Sequence, residues 1–165
     1  MKTPLQELNS LPIREFVHRL GGTFEHSPWV AEKAAEGRPY PHLGALHATM
    51  VQIVQQSGEK TQLQLLNAHP DLVSRTILTA ESESEQAAAG LTQLSSQEVE
   101  TFTTYNKAYR EKFGFPFIIC ARLNKKEAIL TAFAKRLAQS RSNEIATALE
   151  EIAKIARMRL DELIS

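Results

Sequence analysis

The sequence predicts an all-α fold, a single compact domain of about seven to eight helices over residues 1–165. Three observations carry that reading. Apolar residues recur at spacings of three and four, the period of one helix face. Serine or proline precedes several of these stripes and glycine follows them, the usual order of helix starts and stops. Strand-like alternation is scarce, and no repeat, low-complexity run or long linker divides the chain.

In chain order, Ser10-Leu11-Pro12 opens a helix with Ile13, Phe16, Val17 and Leu20 on its apolar face. Gly21-Gly22 stops it, one glycine being expected to supply a left-handed cap. Ser27-Pro28 opens a short helix from Trp29 to Glu36, closed by Gly37. Leu43, Leu46, Met50, Ile53 and Val54 form a third stripe that ends near Ser57-Gly58. A fourth starts about Glu59, carries Leu63, Leu65 and Leu66, and breaks at His69-Pro70, because a residue before proline resists helical geometry. Residues 73–80 show no clear period and read as a loop. Glu81 to Ala89 is helical up to Gly90. Ser95-x-x-Glu98 is a capping box that opens a long helix through Phe102, Tyr105 and Tyr109 to Gly114. Phe115 to Ala121 is apolar and holds Pro116, so it reads as a buried extended segment or a turn. Asn124 to about Ser140 is amphipathic through Ile129, Leu130, Phe133 and Leu137. Ser142-Asn143 is expected to cap a last helix to Ile164, with Ile145, Leu149, Ile152, Ile155, Ala156 and Leu160 inward.

Composition narrows the function. Nineteen Lys and Arg residues balance nineteen Asp and Glu, for a formal net charge of zero. That lacks the electrostatic footprint of a nucleic-acid or polybasic membrane binder, so neither partner is expected. A single cysteine, Cys120, excludes a disulfide framework and a multi-thiolate zinc site, and reads as a packing residue. No signal peptide, membrane span or Ser-Lys-Leu address is seen, and a cytoplasmic setting is the expectation. His18, His26, His42 and His47 lack metal-ligand spacing, and no metal site is expected.

Three segments could carry chemistry. His69 lies where a helix is forced to stop, and Pro70 fixes the local backbone, so its imidazole would have a held orientation suited to proton transfer at neutral pH. The plainer reading of this feature alone is that His69 caps a helix C-terminus as a cation. Glu81-Ser82-Glu83-Ser84-Glu85-Gln86 complements a helix N-terminus, Ser82-x-x-Glu85 having capping-box spacing. The same residues could bind polar ligand groups through Ser82 and Gln86 while Glu85 exchanges protons. Finally, Gly114 and Pro116 break a helix between bulky aromatics, so backbone groups beyond Phe117 need partners other than a helical ladder. They belong to a packed turn or line a pocket that reads an amide-rich heterocycle.

Together, in this order and spacing, these segments resemble the 2-oxo-4-hydroxy-4-carboxy-5-ureidoimidazoline (OHCU) decarboxylase family of the urate-to-allantoin pathway. The matching pieces are Phe24-Glu25-His26-Ser27-Pro28-Trp29-Val30, His69-Pro70-Asp71-Leu72, and Ser82-x-x-Glu85-Gln86 with Ala89-Gly90-Leu91. They continue with Asn106-x-x-Tyr109-x-x-Lys112-Phe113-Gly114-Phe115-Pro116-Phe117-Ile118 and Arg159-Leu160. The resemblance covers most of the chain, which departs from many members in having Val73-Ser74 and a shorter loop before Ser82.

What the resemblance implies is an all-helical enzyme without a cofactor, often a homodimer, that decarboxylates a small-molecule substrate to (S)-allantoin. By position, His69 corresponds to the essential histidine, Glu85 to its acidic partner and Arg159 to the C-terminal arginine. Ser82 and Gln86 match ligand-binding positions, and Pro70 with the backbone of Phe117, Ile118 and Ile119 falls in the substrate pocket. Two other readings stand beside it: a non-catalytic helical interaction module, and a decarboxylase of a related ureido or imidazoline acid.

Overall fold

The computed structural model describes residues 1–73 and 78–165. Among the described residues the fold is all-α, with nine α-helices: α1 Leu5–Ser10, α2 Ile13–Leu20, α3 Trp29–Ala35, α4 Leu43–Gln55, α5 Glu59–Asn67, α6 Ala80–Ala88, α7 Ser96–Phe113, α8 Lys126–Leu137 and α9 Arg141–Leu163. Two short 3₁₀ turns, Gly21–Thr23 and Ala121–Leu123, complete them. No described helix is long and apolar enough to cross a membrane. Half of the loop expected at 73–80, the four residues 74–77 with Ser74 among them, lies outside the described residues.

The chain forms two compact units: residues 1–68 with 153–165, and residues 69–152. In the first, α2 packs on α3 and α3 on α4 around Leu8, Phe16, Leu20, Val30, Leu46 and Met50, all fully or almost fully buried. The helix α1, which apolar periodicity did not reveal, has its last carbonyls capped from a distance. The Arg38 guanidinium donates to Leu8 O at 3.0 Å and Leu11 O at 2.6 Å, giving partners to groups that a helix end cannot satisfy itself. The termini meet where Thr3 N donates to Leu163 O (2.8 Å) and Ser165 N to Thr3 O (3.1 Å).

In the second unit the Ser95–Glu98 capping box starts α7 as expected, and Gly114 ends it at φ 81°, in the left-handed region that favours glycine. The chain then runs buried from Phe115 to Cys120 in a non-helical course. Phe117 stacks on Phe133 of α8 with ring centroids 3.8 Å apart, and Tyr109 meets Phe117 edge-on at 5.5 Å. This aromatic cluster fixes where the segment after Gly114 must lie.

Three local expectations fail, each for a stated reason. Gly21 has φ −62° and begins a 3₁₀ turn, so α2 tightens into the next turn instead of ending on a left-handed glycine. Thr79, not Ser82, caps α6: its hydroxyl accepts from Ser82 N at 3.2 Å, and Ser82 sits inside the helix with its side chain buried. The last helix starts at Arg141, before Ser142-Asn143, and Ser140 Oγ accepts from Asn143 N at 3.3 Å. In the last two cases a hydroxyl earlier in the chain stands three residues before a free amide, the spacing a cap requires.

Candidate active site

Pro70 does what its ring dictates: α5 closes at Ala68 and His69 follows, 7% exposed. The next residues are tied on two sides within the second unit. On the α7 side, Asn106 Nδ2 donates to Leu72 O at 2.7 Å and Arg110 Nε to Asp71 Oδ1 at 2.9 Å. On the α6 side, Val73 N donates to Gln86 Oε1 at 3.2 Å. Val73 has φ 58°, a conformation a β-branched residue rarely adopts, so the turn after His69-Pro70 is strained where it meets Gln86. Strain held by surrounding bonds in this way concentrates at functional sites.

Ser82, Glu85 and Gln86 are the buried polar residues of α6, at 6%, 8% and 7% exposure. Spacings of three and four place them on one face of the helix. That helix packs against the 3₁₀ turn Ala121–Leu123, which directly follows Phe117, Ile118, Ile119 and Cys120. Among the described residues, the buried backbone N–H groups of Phe117, Ile118 and Ile119 have no hydrogen-bond partner. Leaving such a donor unmade costs about 1–3 kcal/mol, so these amides are suited to an incoming acceptor. A groove of about 390 Å³ on the α7 side, lined by Asp71, Val73, Thr103, Asn106, Lys107 and Arg110 among others, contains none of the expected site residues.

Eight of the nine expected site residues thus fall in the second unit. Arg159 belongs to the first. It is 3% exposed, donating through Nη1 to Gly22 O at 3.0 Å and through Nη2 to Glu25 Oε2 at 3.3 Å. Glu25, in the Phe24-Glu25-His26 piece of the resemblance, is its buried ion-pair partner. Arg157, in contrast, pairs with Asp161 at the exposed surface.

Sequence reading missed a buried charge network in the second unit. Arg136 Nε donates to Glu144 Oε1 at 2.8 Å, and the Tyr109 hydroxyl donates to the same oxygen at 2.6 Å. Burial first, and then the Glu144 carboxylate, push the Tyr109 phenol well above its ordinary pKa. Arg136 also lies over the Phe117 ring, 4.3 Å from its centroid, and donates to Ile118 O at 2.5 Å. Glu151 accepts from Cys120 N at 3.0 Å. The available signal was on α9: Glu144, Ala148, Glu151, Ile155 and Arg159 keep helical spacing with the apolar stripe, so three charged residues occupy its buried side. Two of the other histidines have structural work, His42 capping α4 through Ala45 N and His47 Nε2 meeting Ala153 O at 2.8 Å.

Residues 9–161 match the sequence model of the family described as OHCU decarboxylase. The 2-oxo-4-hydroxy-4-carboxy-5-ureidoimidazoline decarboxylase of Haloferax volcanii is 45% identical over 161 residues, covering 98% of this chain and 96% of that protein. The enzyme of the same name from Halalkalicoccus jeotgali is 43% identical, over 96% of this chain and 90% of that one. A solved structure of an (S)-allantoin synthase is 34% identical with a TM-score of 0.81, over 98% of this chain and 54% of that chain.

Proposed function

Because this chain belongs to the OHCU decarboxylase family, we propose that it is a carboxy-lyase of urate degradation, converting 2-oxo-4-hydroxy-4-carboxy-5-ureidoimidazoline to (S)-allantoin. The observation that carries the site assignment is the bonding of the His69–Val73 segment to Gln86, which joins it to the helix face holding Ser82 and Glu85.

The chemistry asks for little more than placement. When the bond to the carboxylate carbon breaks, CO₂ leaves and the electron pair stays on the ring, delocalised as an enolate-like species. A proton delivered to one face then gives one enantiomer. The protein must orient the carboxylate, stabilise the developing charge and deliver that proton. His69 serves as acid/base at the reacting carbon's substituents, held by Pro70 at the end of α5. Glu85 shares proton transfer or ureido binding, with Ser82 and Gln86 beside it on α6. The N–H groups of Phe117, Ile118 and Ile119 suit the ring or ureido oxygens. Arg159, pre-oriented by Glu25, anchors a substrate oxygen group through its planar fork.

The chain acts as one OHCU decarboxylase-like domain over 1–165, in the cytoplasm, as a homodimer, with neither nucleic acid nor membrane as a partner. No cofactor is required, since the substrate ring itself accepts the electron pair.

Circular dichroism of a freshly generated urate-oxidation mixture tests the central claim. The protein should speed the appearance of the (S)-allantoin signal, and His69→Ala, still helical, should abolish that acceleration. A folded His69→Ala variant with wild-type rate would remove His69 from the mechanism. No acceleration by the wild-type chain would leave the helical-module or related-acid reading in its place.

A further inference from the structure

The two charged residues that flank Ile119 through its neighbours have no part in the mechanism above. Arg136 holds the carbonyl of Ile118 at 2.5 Å, and Glu151 holds the N–H of Cys120 at 3.0 Å. These are the peptide groups on either side of Ile119. In a trans peptide the carbonyl and the N–H point in opposite directions. Fixing the Ile118 carbonyl toward Arg136 therefore aims the Ile119 N–H away from Arg136. Fixing the Cys120 N–H toward Glu151 likewise aims the Ile119 carbonyl away from Glu151. Ile119 is left with its N–H and its C=O each turned away from the side chain that holds the neighbouring peptide group, the donor and acceptor that an amide or ureido group needs.

Both anchors are themselves braced. Arg136 is 7% exposed, bonded to Glu144 and stacked on Phe117; Glu151 is 8% exposed. Glu144 and Glu151 are seven residues apart on α9, two turns along one face, so a single helix backs both anchors. We propose that Glu151 and Arg136 are positioning residues, setting the peptide planes around Ile119 so that its N–H and C=O grip the ureido-imidazoline substrate. This rests on the reading that the Phe117–Ile119 backbone binds substrate.

Reach and charge can be separated at Glu151. Glu151→Gln keeps the acceptor where it is and removes the charge. Glu151→Asp keeps the charge and withdraws the acceptor by one methylene. Positioning predicts that the Gln variant stays within about 3-fold of wild-type kcat/KM, while the Asp variant falls by about 10- to 100-fold, mainly through KM, with lower enantiomeric purity of the allantoin formed. Each value is taken per folded molecule, from far-ultraviolet dichroism. Equal behaviour of the two variants, or loss in Gln alone, overturns the proposal. Should Glu151→Asp not fold, Arg136→Lys takes its place, since one ammonium cannot bridge Glu144 and the Ile118 carbonyl as the fork does. A raised KM supports positioning and an unchanged KM overturns it. An inactive wild-type chain refutes the decarboxylase reading, whereas an active wild type with unaffected Asp and Lys variants refutes only the positioning role.

Discussion

Arg136 and Arg159 are both buried and both paired with a glutamate, yet their surroundings differ in kind. Arg136 lies over the Phe117 ring, with Nε 2.8 Å from Glu144. Its carboxylate partner is shared with the Tyr109 hydroxyl, so α7, α8 and α9 meet at one oxygen. Arg159 holds Glu25 at a longer 3.3 Å and the carbonyl of Gly22, in a 3₁₀ turn, at 3.0 Å. The difference teaches that a buried arginine does not by itself announce chemistry. The tight, shared pair holds α7, α8 and α9 together; the looser one is the arginine proposed above to anchor substrate.

The largest effect should come from breaking the tight pair. Glu144→Ala leaves Arg136 and Tyr109 buried opposite an empty acceptor position. Removing one partner of a buried ion pair costs about 3–5 kcal/mol, a large share of the 5–15 kcal/mol that holds most domains. Urea unfolding should show that loss in the midpoint. A change below about 1 kcal/mol would mean that the pair contributes little beyond its hydrophobic surroundings, and the contrast with Arg159 would fail.

The second test works at the other arginine. Arg159→Lys keeps a positive charge for Glu25 but loses the planar, two-toothed donor. Decarboxylation should fall by about 100-fold in kcat/KM, equivalent to about 2.7 kcal/mol of transition-state stabilisation, while the urea midpoint moves little. Wild-type activity in this variant would remove Arg159 from the substrate site.

The same contrast explains how much the sequence revealed. Helix stripes, the α7 capping box and the break at His69-Pro70 were legible, because each depends on residues within one or two turns. The His69, Ser82–Gln86 and Phe117–Ile119 segments were also visible, since proline, glycine and a run of aromatics interrupt the pattern locally. The Arg136–Glu144–Tyr109 network was not: its members lie 8 and 35 residues from Glu144. In sequence, Arg136 looks like a solvent-facing charge of an amphipathic helix, whereas Glu144 keeps the spacing of the apolar stripe of α9. That spacing marks Glu144 as inward-facing, but its pairing with Arg136 and Tyr109 follows from how α7, α8 and α9 pack, which no local pattern encodes. The caps on α6 and α9 were misplaced for a smaller reason, since several hydroxyls near each start could serve and only the backbone path selects among them.

The smallest effect should lie at the surface, at the opposite end of α7 from Tyr109. Glu98 closes the capping box on Ser95 N at 3.0 Å and pairs with Lys126 Nζ at 3.0 Å. The Ser95 backbone N–H, followed by Lys126, holds the Glu98 carboxyl below its ordinary value of 4.5. A depressed carboxyl pKa means that the unfolded chain binds the proton more readily than the folded one. The contribution is therefore complete above about pH 4.5 and is lost as pH falls through the lower folded value. Glu98→Gln keeps an acceptor for Ser95 N but cannot ionise. The gap in urea midpoint between wild type and this variant should be small at neutral pH, shrink further in acid and narrow with added salt. A gap that ignores both pH and salt would show that Glu98 acts through packing or the cap alone. The surface pair would then share with Arg136 and Glu144 only the signs of its charges, and burial would be the whole difference between the two ends of the helix.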